Sequence, residues 1–203
     1  NWKLQLENSV DDYHADFVHK SFFELAARRA GRVVRTGGGP DLFRTWDIGG
    51  GHAVLDIEAG GIKASDALGQ PHKRHGPGYN LLVFPNLSIL FSQVRHFLPI
   101  AVERTEVRLH PVIFVGLPDS ENQRQIREHN DFYGPAGFGS PDDWEMFARV
   151  HKGVRSEAPQ WILFNRGLQY EERDEQGFRS AAMTDETPQR AIYRHWKTLM
   201  GAE

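Results

Sequence analysis

An α+β domain is what this sequence predicts, and three observations carry the prediction. Apolar residues in the first segment, Leu4 to Ala27, follow helical spacing. The middle of the chain is a succession of short apolar runs whose connections are too brief for parallel crossovers. The last segment, Thr184 to Met200, sets Ile192, Trp196, Leu199 and Met200 on one helical stripe. Helices at both ends around a central antiparallel sheet make one domain over residues 1–203.

The elements follow in order. Leu6, Val10, Phe17, Val18, Phe22 and Leu25 give the first helical segment, with an interruption near its middle. Gly37-Gly38-Gly39-Pro40 closes it as a loop. Phe43 to Ile48 and His52 to Ile57 flank Gly49-Gly50-Gly51 and read as a hairpin. Residues 60–78 are polar and glycine-rich, a long loop. Tyr79 to Phe84, Leu87 to Phe91, Ser92 to Arg104 and Thr105 to Phe114 then form an antiparallel meander. A polar helix is expected from Ser120 to Asn130 and another from Ser140. No internal repeat or low-complexity tract interrupts the domain.

Composition narrows the chemistry. With 39% hydrophobic and 25% charged residues, 203 residues suffice for a real core. A net charge of -3 lacks the basic excess that a nucleic acid partner requires. No run reaches the roughly 18 apolar residues of a membrane span. No signal peptide precedes Asn1, so a cytoplasmic setting is expected. Cysteine is absent, which removes disulfides, thiolate zinc sites, cysteine-ligated iron–sulfur clusters and cysteine nucleophiles. A metal held by these residues must sit on His, Asp or Glu, and there are 10 His to draw on.

The segment Asp11-Asp12-Tyr13-His14-Ala15-Asp16-Phe17-Val18-His19 is the first that could carry chemistry. On a regular helix, His14 and His19 would point about 140° apart, so one metal could take both only at a local distortion. Asp11, three residues before His14, is placed to grip the other nitrogen of its imidazole. By spacing alone the two His fit a solvated surface helix as well. Downstream, Ser140-Pro141-Asp142-Asp143 reads as a helix start. Ser140 would be the N-cap and Asp143 would stand in a capping-box position, a complete structural account without metal. Two imidazoles and one carboxylate would equally make the facial triad of non-heme Fe(II) oxygenases, but nothing in the sequence joins the segments. Ser120-Glu121 and Thr184-Asp185-Glu186 read as helix caps. The remaining His residues are dispersed and read as solvated or satisfied in the core.

Together these residues resemble a known family. Asn1-Trp2-Lys3-Leu4-Gln5-Leu6-Glu7-Asn8, then Asp11-Asp12-Tyr13-His14 and His19, resemble the iron-site opening of the catalytic domain of Rieske-type aromatic-ring-hydroxylating dioxygenase α subunits. The likeness continues through Tyr79 to Leu87, Phe132 to Phe138, Asp142 to Phe147, Arg166-Gly167-Leu168 and the terminal helix, in the family's order. It is closest to members acting on aryl carboxylates.

The resemblance implies a helix-grip, START-like curved antiparallel sheet around a long C-terminal helix. It implies Fe(2+) held by His14, His19 and Asp143. Asp11 matches the aspartate that links the iron to a Rieske cluster ligand on a neighbouring α subunit, and Asn8 lies near a family asparagine close to the iron. The implied reaction is cis-dihydroxylation of an aromatic ring with O2, or formation of a phenol in a monooxygenating member. The [2Fe-2S] cluster would sit on a Rieske domain that this cysteine-free chain does not contain. Electrons would come from NAD(P)H through a reductase or ferredoxin, in an α3 or α3β3 assembly with a possible β subunit. Trimer formation would bring the neighbour's cluster to Asp11. A metal-free helix-grip module carrying an apolar ligand is the competing expectation, and it would have no need of His14, His19 and Asp143 together.

Overall fold

The computed structural model describes residues 1–29, 31, 44–56, 79–90, 93–156, 158 and 160–201. The loops expected over residues 37–40 and 60–78 lie outside the described residues, as do Phe43, Ile57 and Phe91 at the ends of expected strands. Among the described residues, no helix is long and apolar enough to cross a membrane.

The N-terminal helical segment breaks into α1 (Trp2–Ser9), a one-turn α2 (Ala15–Val18) and α3 (Lys20–Arg29). Strands β1 (Arg44–Asp47) and β2 (Ala53–Asp56) form the expected hairpin. Its turn needs positive φ at Gly49, Gly50 and Gly51, which only glycine adopts cheaply. At Gly51 a Cβ would also meet the Phe84 ring at 2.9 Å. The meander follows as β3 (Tyr79–Val83), β4 (Leu87–Leu90), β5 (Gln93–Ala101) and β6 (Arg104–Pro111). Helices α4 (Asp119–Tyr133) and α5 (Ser140–Val154) come next. Strands β7 (Glu172–Arg173) and β8 (Arg179–Ala182) and helix α6 (Thr187–Leu199) complete the domain.

Among the described residues, eight strands join one antiparallel sheet in the order β6-β5-β4-β3-β2-β1-β8-β7. The pairing of β1 with β8, Thr45 opposite Ala181, ties the two ends of the chain together. On the inner face α6 packs against β1, β2 and β8, whereas α1 covers β3, β4 and β5. This is the helix-grip α+β arrangement, with the grip shared between the first and last helices. Leu6 and Val10 of α1, Ala53, Leu82 and Phe97 of the sheet, and Ile192 of α6 form the core where they meet.

The C-terminal stripe is shorter than expected. Ile192 is buried, but Leu199 is 59% exposed and Met200 is exposed too, the buried residues of the helix all lying between Thr187 and Ile192. Nor do the expected caps form. Helix α4 starts at Asp119 after Pro118, so Ser120 lies inside it. At α6, Glu186 occupies the N-cap, but its carboxylate accepts the Arg166 backbone N–H at 2.9 Å instead of capping its own helix.

Helix α6 is fastened by a buried carboxylate. The Glu171 side chain, 6% exposed, accepts from Arg190 Nε at 2.7 Å, Arg194 at 3.0 Å and the Thr187 hydroxyl at 3.0 Å. Burial pushes Glu171 upward, but the hydrogen bonds and charges of Arg190 and Arg194 outweigh it and hold the group below the usual glutamate range. A carboxyl depressed in the folded state stabilises it fully above the unfolded value of about 4.3, and that contribution disappears as pH falls through the folded value. Glu171→Gln is therefore expected to lose about 2 kcal/mol at pH 7. In urea titrations the gap to the parent chain should shrink below about pH 4; a gap independent of pH would show that the charge is not what binds α6.

Candidate metal centre

The backbone break that two histidines five residues apart require is present. Helix α1 stops after Ser9, residues 11–14 turn, and His14 and His19 become the two flanking residues of α2. His14 accepts the backbone N–H of Phe17 at 3.0 Å and of Val18 at 2.8 Å, while His19 accepts that of Phe23 at 3.1 Å to begin α3. One turn of helix between two reversals brings both rings to one side, with centroids 5.3 Å apart.

The third group arrives from α5. Residues 134–139 fold tightly over the end of α4: Gly139 N–H donates to the Phe132 carbonyl at 2.9 Å and Phe138 N–H to that of Asp131 at 3.0 Å. A Cβ on Gly139 would lie 2.2 Å from the Phe132 ring, so only glycine lets α5 start this close. Phe132 in turn stands edge-on to His19 at 4.9 Å. Gly139, not Ser140, is the N-cap, and no side chain caps the helix. The capping role expected of Ser140 and Asp143 is thus not filled. The loop contacts carry the helix start, and the Asp143 carboxylate is turned to the histidines.

There Asp143 Oδ1 lies 3.2 Å from His19 Nε2 and 3.7 Å from His14 Nε2. One ligand atom from each of the three residues falls within 4.8 Å of the others. Asn8 Nδ2 donates to Asp143 Oδ1 at 3.2 Å and stands 3.0 Å from His14 Nε2. Asp11 Oδ2 accepts from His14 Nδ1 at 2.8 Å and from the His14 backbone N–H at 3.0 Å. A carboxylate only accepts, so Nδ1 carries a proton, and in the neutral ring the Nε2 lone pair then faces the cluster. Asn8 therefore holds its NH2 against two lone pairs, on His14 and Asp143, aimed at one spot. That donor set suits a divalent cation such as Fe(II). His19 is 3% exposed, and its Nδ1 has no hydrogen-bond partner among the described residues.

The electrostatics match this geometry. Burial would lower His14, but its hydrogen bond to Asp11 and the charges of Asp11 and Asp143 leave it above its ordinary value. Burial would raise Asp11, but His14 and then Arg166 hold it below its own. Burial, with Asp16 and Asp11 nearby, pushes Asp12 up to about 6. Phe23 and Phe132 stand edge-on to His19, with Phe22 behind Phe132, and make that side of the ring apolar.

The structure thus brings Asn8, Asp11, His14, His19 and Asp143 together. Asp142, adjacent in sequence, is not in the cluster. Sequence reasoning missed Arg166, which stacks on Tyr13 at 4.1 Å and reaches Asp11 at 3.9 Å. Of the dispersed histidines, His96 meets Asn86 at 3.1 Å as expected, while His72 and His75 lie outside the described residues. His129 does not fit expectation, being buried with Nδ1 unpartnered.

Residues 1–202 match the sequence model of the ring hydroxylating alpha subunit (catalytic domain). The chain belongs to this family. It is 32% identical over 201 residues to the 2-halobenzoate 1,2-dioxygenase large subunit of Burkholderia cepacia, a match covering 82% of this chain and 41% of that one. With the anthranilate 1,2-dioxygenase large subunit of Acinetobacter baylyi it shares 26% over 197 residues, covering 82% and 42%. The chain accordingly spans less than half the length of these two relatives. Naphthalene 1,2-dioxygenase from Rhodococcus sp., solved with indole, superposes with a TM-score of 0.71 at 21% identity, over 98% of this chain and 53% of that one. The fold of this family member is therefore shared with a dioxygenase of solved structure.

Proposed function

We propose that this chain is an oxygenase domain that cis-dihydroxylates an aromatic ring, with Fe(II) held by His14, His19 and Asp143. The observation that carries this reading is the convergence of one ligand atom each from His14, His19 and Asp143 within 4.8 Å of one another. Relatives named for 2-halobenzoate, anthranilate and toluate support an aryl carboxylate as the substrate. When bound, Fe(II) supplies the activation of dioxygen that an aromatic ring requires. The chain's own groups do the rest. Asp11 keeps the His14 proton on Nδ1 and its ring in line. Asn8 donates to Asp143 Oδ1 and so orients that carboxylate. The phenylalanines around His19 exclude water, which would otherwise divert a reactive oxygen species. Asp11, held on its outer side by Arg166, is the group that meets a neighbouring α subunit's Rieske [2Fe-2S] domain. NAD(P)H feeds that cluster through a reductase or ferredoxin in an α3 or α3β3 assembly. A carrier of apolar ligands would have no use for this convergence.

Anaerobic Fe(II) loading followed by metal analysis tests the reading. About one iron per chain is expected, falling to background in His14→Ala, and a well-folded parent chain that takes up no iron overturns it. Asp11→Asn is expected to keep its iron yet lose repeated turnover in the full α subunit; unchanged turnover would remove the bridging role.

A further inference from the structure

Arg95 is the most anomalous charge in the described structure. It lies on β5 between Gln93 and Phe97, all three on the inner face, in register with Ser88 of β4 and Leu109 of β6. The residue is 5% exposed, yet its Nε has no hydrogen-bond partner, and it enters no ion pair with the described residues. A buried guanidinium without a counter-charge costs several kcal/mol, and arginine is almost never buried unless paired.

What faces it is equally telling. Tyr133 of α4 presents its ring at 4.9 Å, and His129 stacks one turn earlier at 5.2 Å from Tyr133. Against its burial, Tyr133 and then the more distant carboxylate of Asp143 are the groups that favour the charged form of Arg95. Burial and the charge of Arg95 push His129 down, so it stays neutral and gives no second cation. Further buried polar atoms without partners gather on the same two elements: both amide atoms of Gln93, His129 Nδ1 and Gln125 Nε2. Asn80 Oδ1, likewise unpartnered, lies on the cross-strand row of Gln93 through Leu90. Each unpaired atom costs about 1–3 kcal/mol, a penalty that a polar guest would remove. Water could satisfy the amides but not the charge. Phe132 bridges the short distance from Tyr133, at 4.6 Å, to His19, at 4.9 Å, so Tyr133 connects through one ring to the histidine cluster.

We infer that Arg95 is the anion anchor of the site, its guanidinium receiving the carboxylate of a benzoate-class aromatic acid between β5 and α4. The inference rests on the oxygenase reading above and gives it a specificity residue. A planar guanidinium matches a carboxylate in two parallel hydrogen bonds. Gln93 and His129 are at hand for the remaining lone pairs, and the ring runs along Tyr133 and Phe132 toward the metal ligands.

Calorimetric titration of the chain with benzoate and with neutral benzamide, metal-free and after anaerobic Fe(II) loading, tests it. The parent chain is expected to prefer benzoate at least about tenfold, and Arg95→Met to lose about a hundredfold for benzoate with benzamide nearly unchanged. Arg95→Lys, which keeps the charge without the fork, should fall between them. Cooperative melting checks each variant's fold, and the parent's own preference decides should Arg95→Met not fold. Benzoate binding unchanged in Arg95→Met, or a parent chain that does not prefer benzoate, overturns the inference. Iron content measured on the same samples separates the two readings. Iron without a benzoate preference removes the anchor alone, whereas a benzoate preference without iron removes the oxygenase reading alone.

Discussion

Asp143→Asn is expected to abolish iron binding while leaving the chain folded. Asp143 Oδ1 meets Asn8, His14 and His19 at once, so it is the one atom on which the centre closes. The amide keeps the size of the carboxylate but removes the charge that a divalent cation requires. An affinity loss of about a hundredfold or more follows, since even groups behind the ligands cost 10–100-fold. Helix α5 should be little affected, because no side chain caps it and residues 134–139 hold its start. A dipole contribution of about 0.3–1 kcal/mol is all that its stability stands to lose. Fe(II) titration and urea unfolding on the same variant separate the two roles. Iron retained, with stability reduced, would return Asp143 to the helix-start role that its sequence context suggests.

Phe97→Ala is expected to destabilise the fold by about 3–5 kcal/mol, a large share of the 5–15 kcal/mol typical of a domain. Phe97 is 0% exposed and sits where Leu6 and Val10 of α1, Leu82 of β3 and Ile192 of α6 meet. The cavity cannot be filled by one neighbour, because the helices above it are fixed to different strands. The consequence reaches the proposed metal centre. Val10 precedes Asp11 and ends the helix that carries Asn8, so loosening this core frees both groups. Urea denaturation should show the loss, and Fe(II) affinity should fall with it. A cost below about 1 kcal/mol would mean that α1 is held by other contacts.

Much of this was legible in the sequence, and the legible part is local. Alternation and short connections identify the meander, Gly49-Gly50-Gly51 the hairpin, and the apolar spacing from Leu6 to Leu25 the broken first helix. The hydrogen bond that His14 donates to Asp11 also follows from their separation of three residues. Helix starts were misread for the opposite reason. Ser140 and Ser120 satisfy local capping preferences, but a loop folded onto Phe132 and a proline at position 118 begin those helices instead. Arg95 could be placed on an inner face only once the register with β4 and β6 is known, since strand alternation does not say which side is inside.

Residue types, local periodicity and turn chemistry thus specify the elements and the kind of metal this chain could hold. They do not specify the joining of segments. Asn8 and Asp143 are 135 residues apart, and their contact exists because α1 lies on the sheet while α5 packs against α2, the turn that carries the two histidines. Convergence of distant groups depends on the closing of a common core, a property of the whole packed chain that no single segment carries.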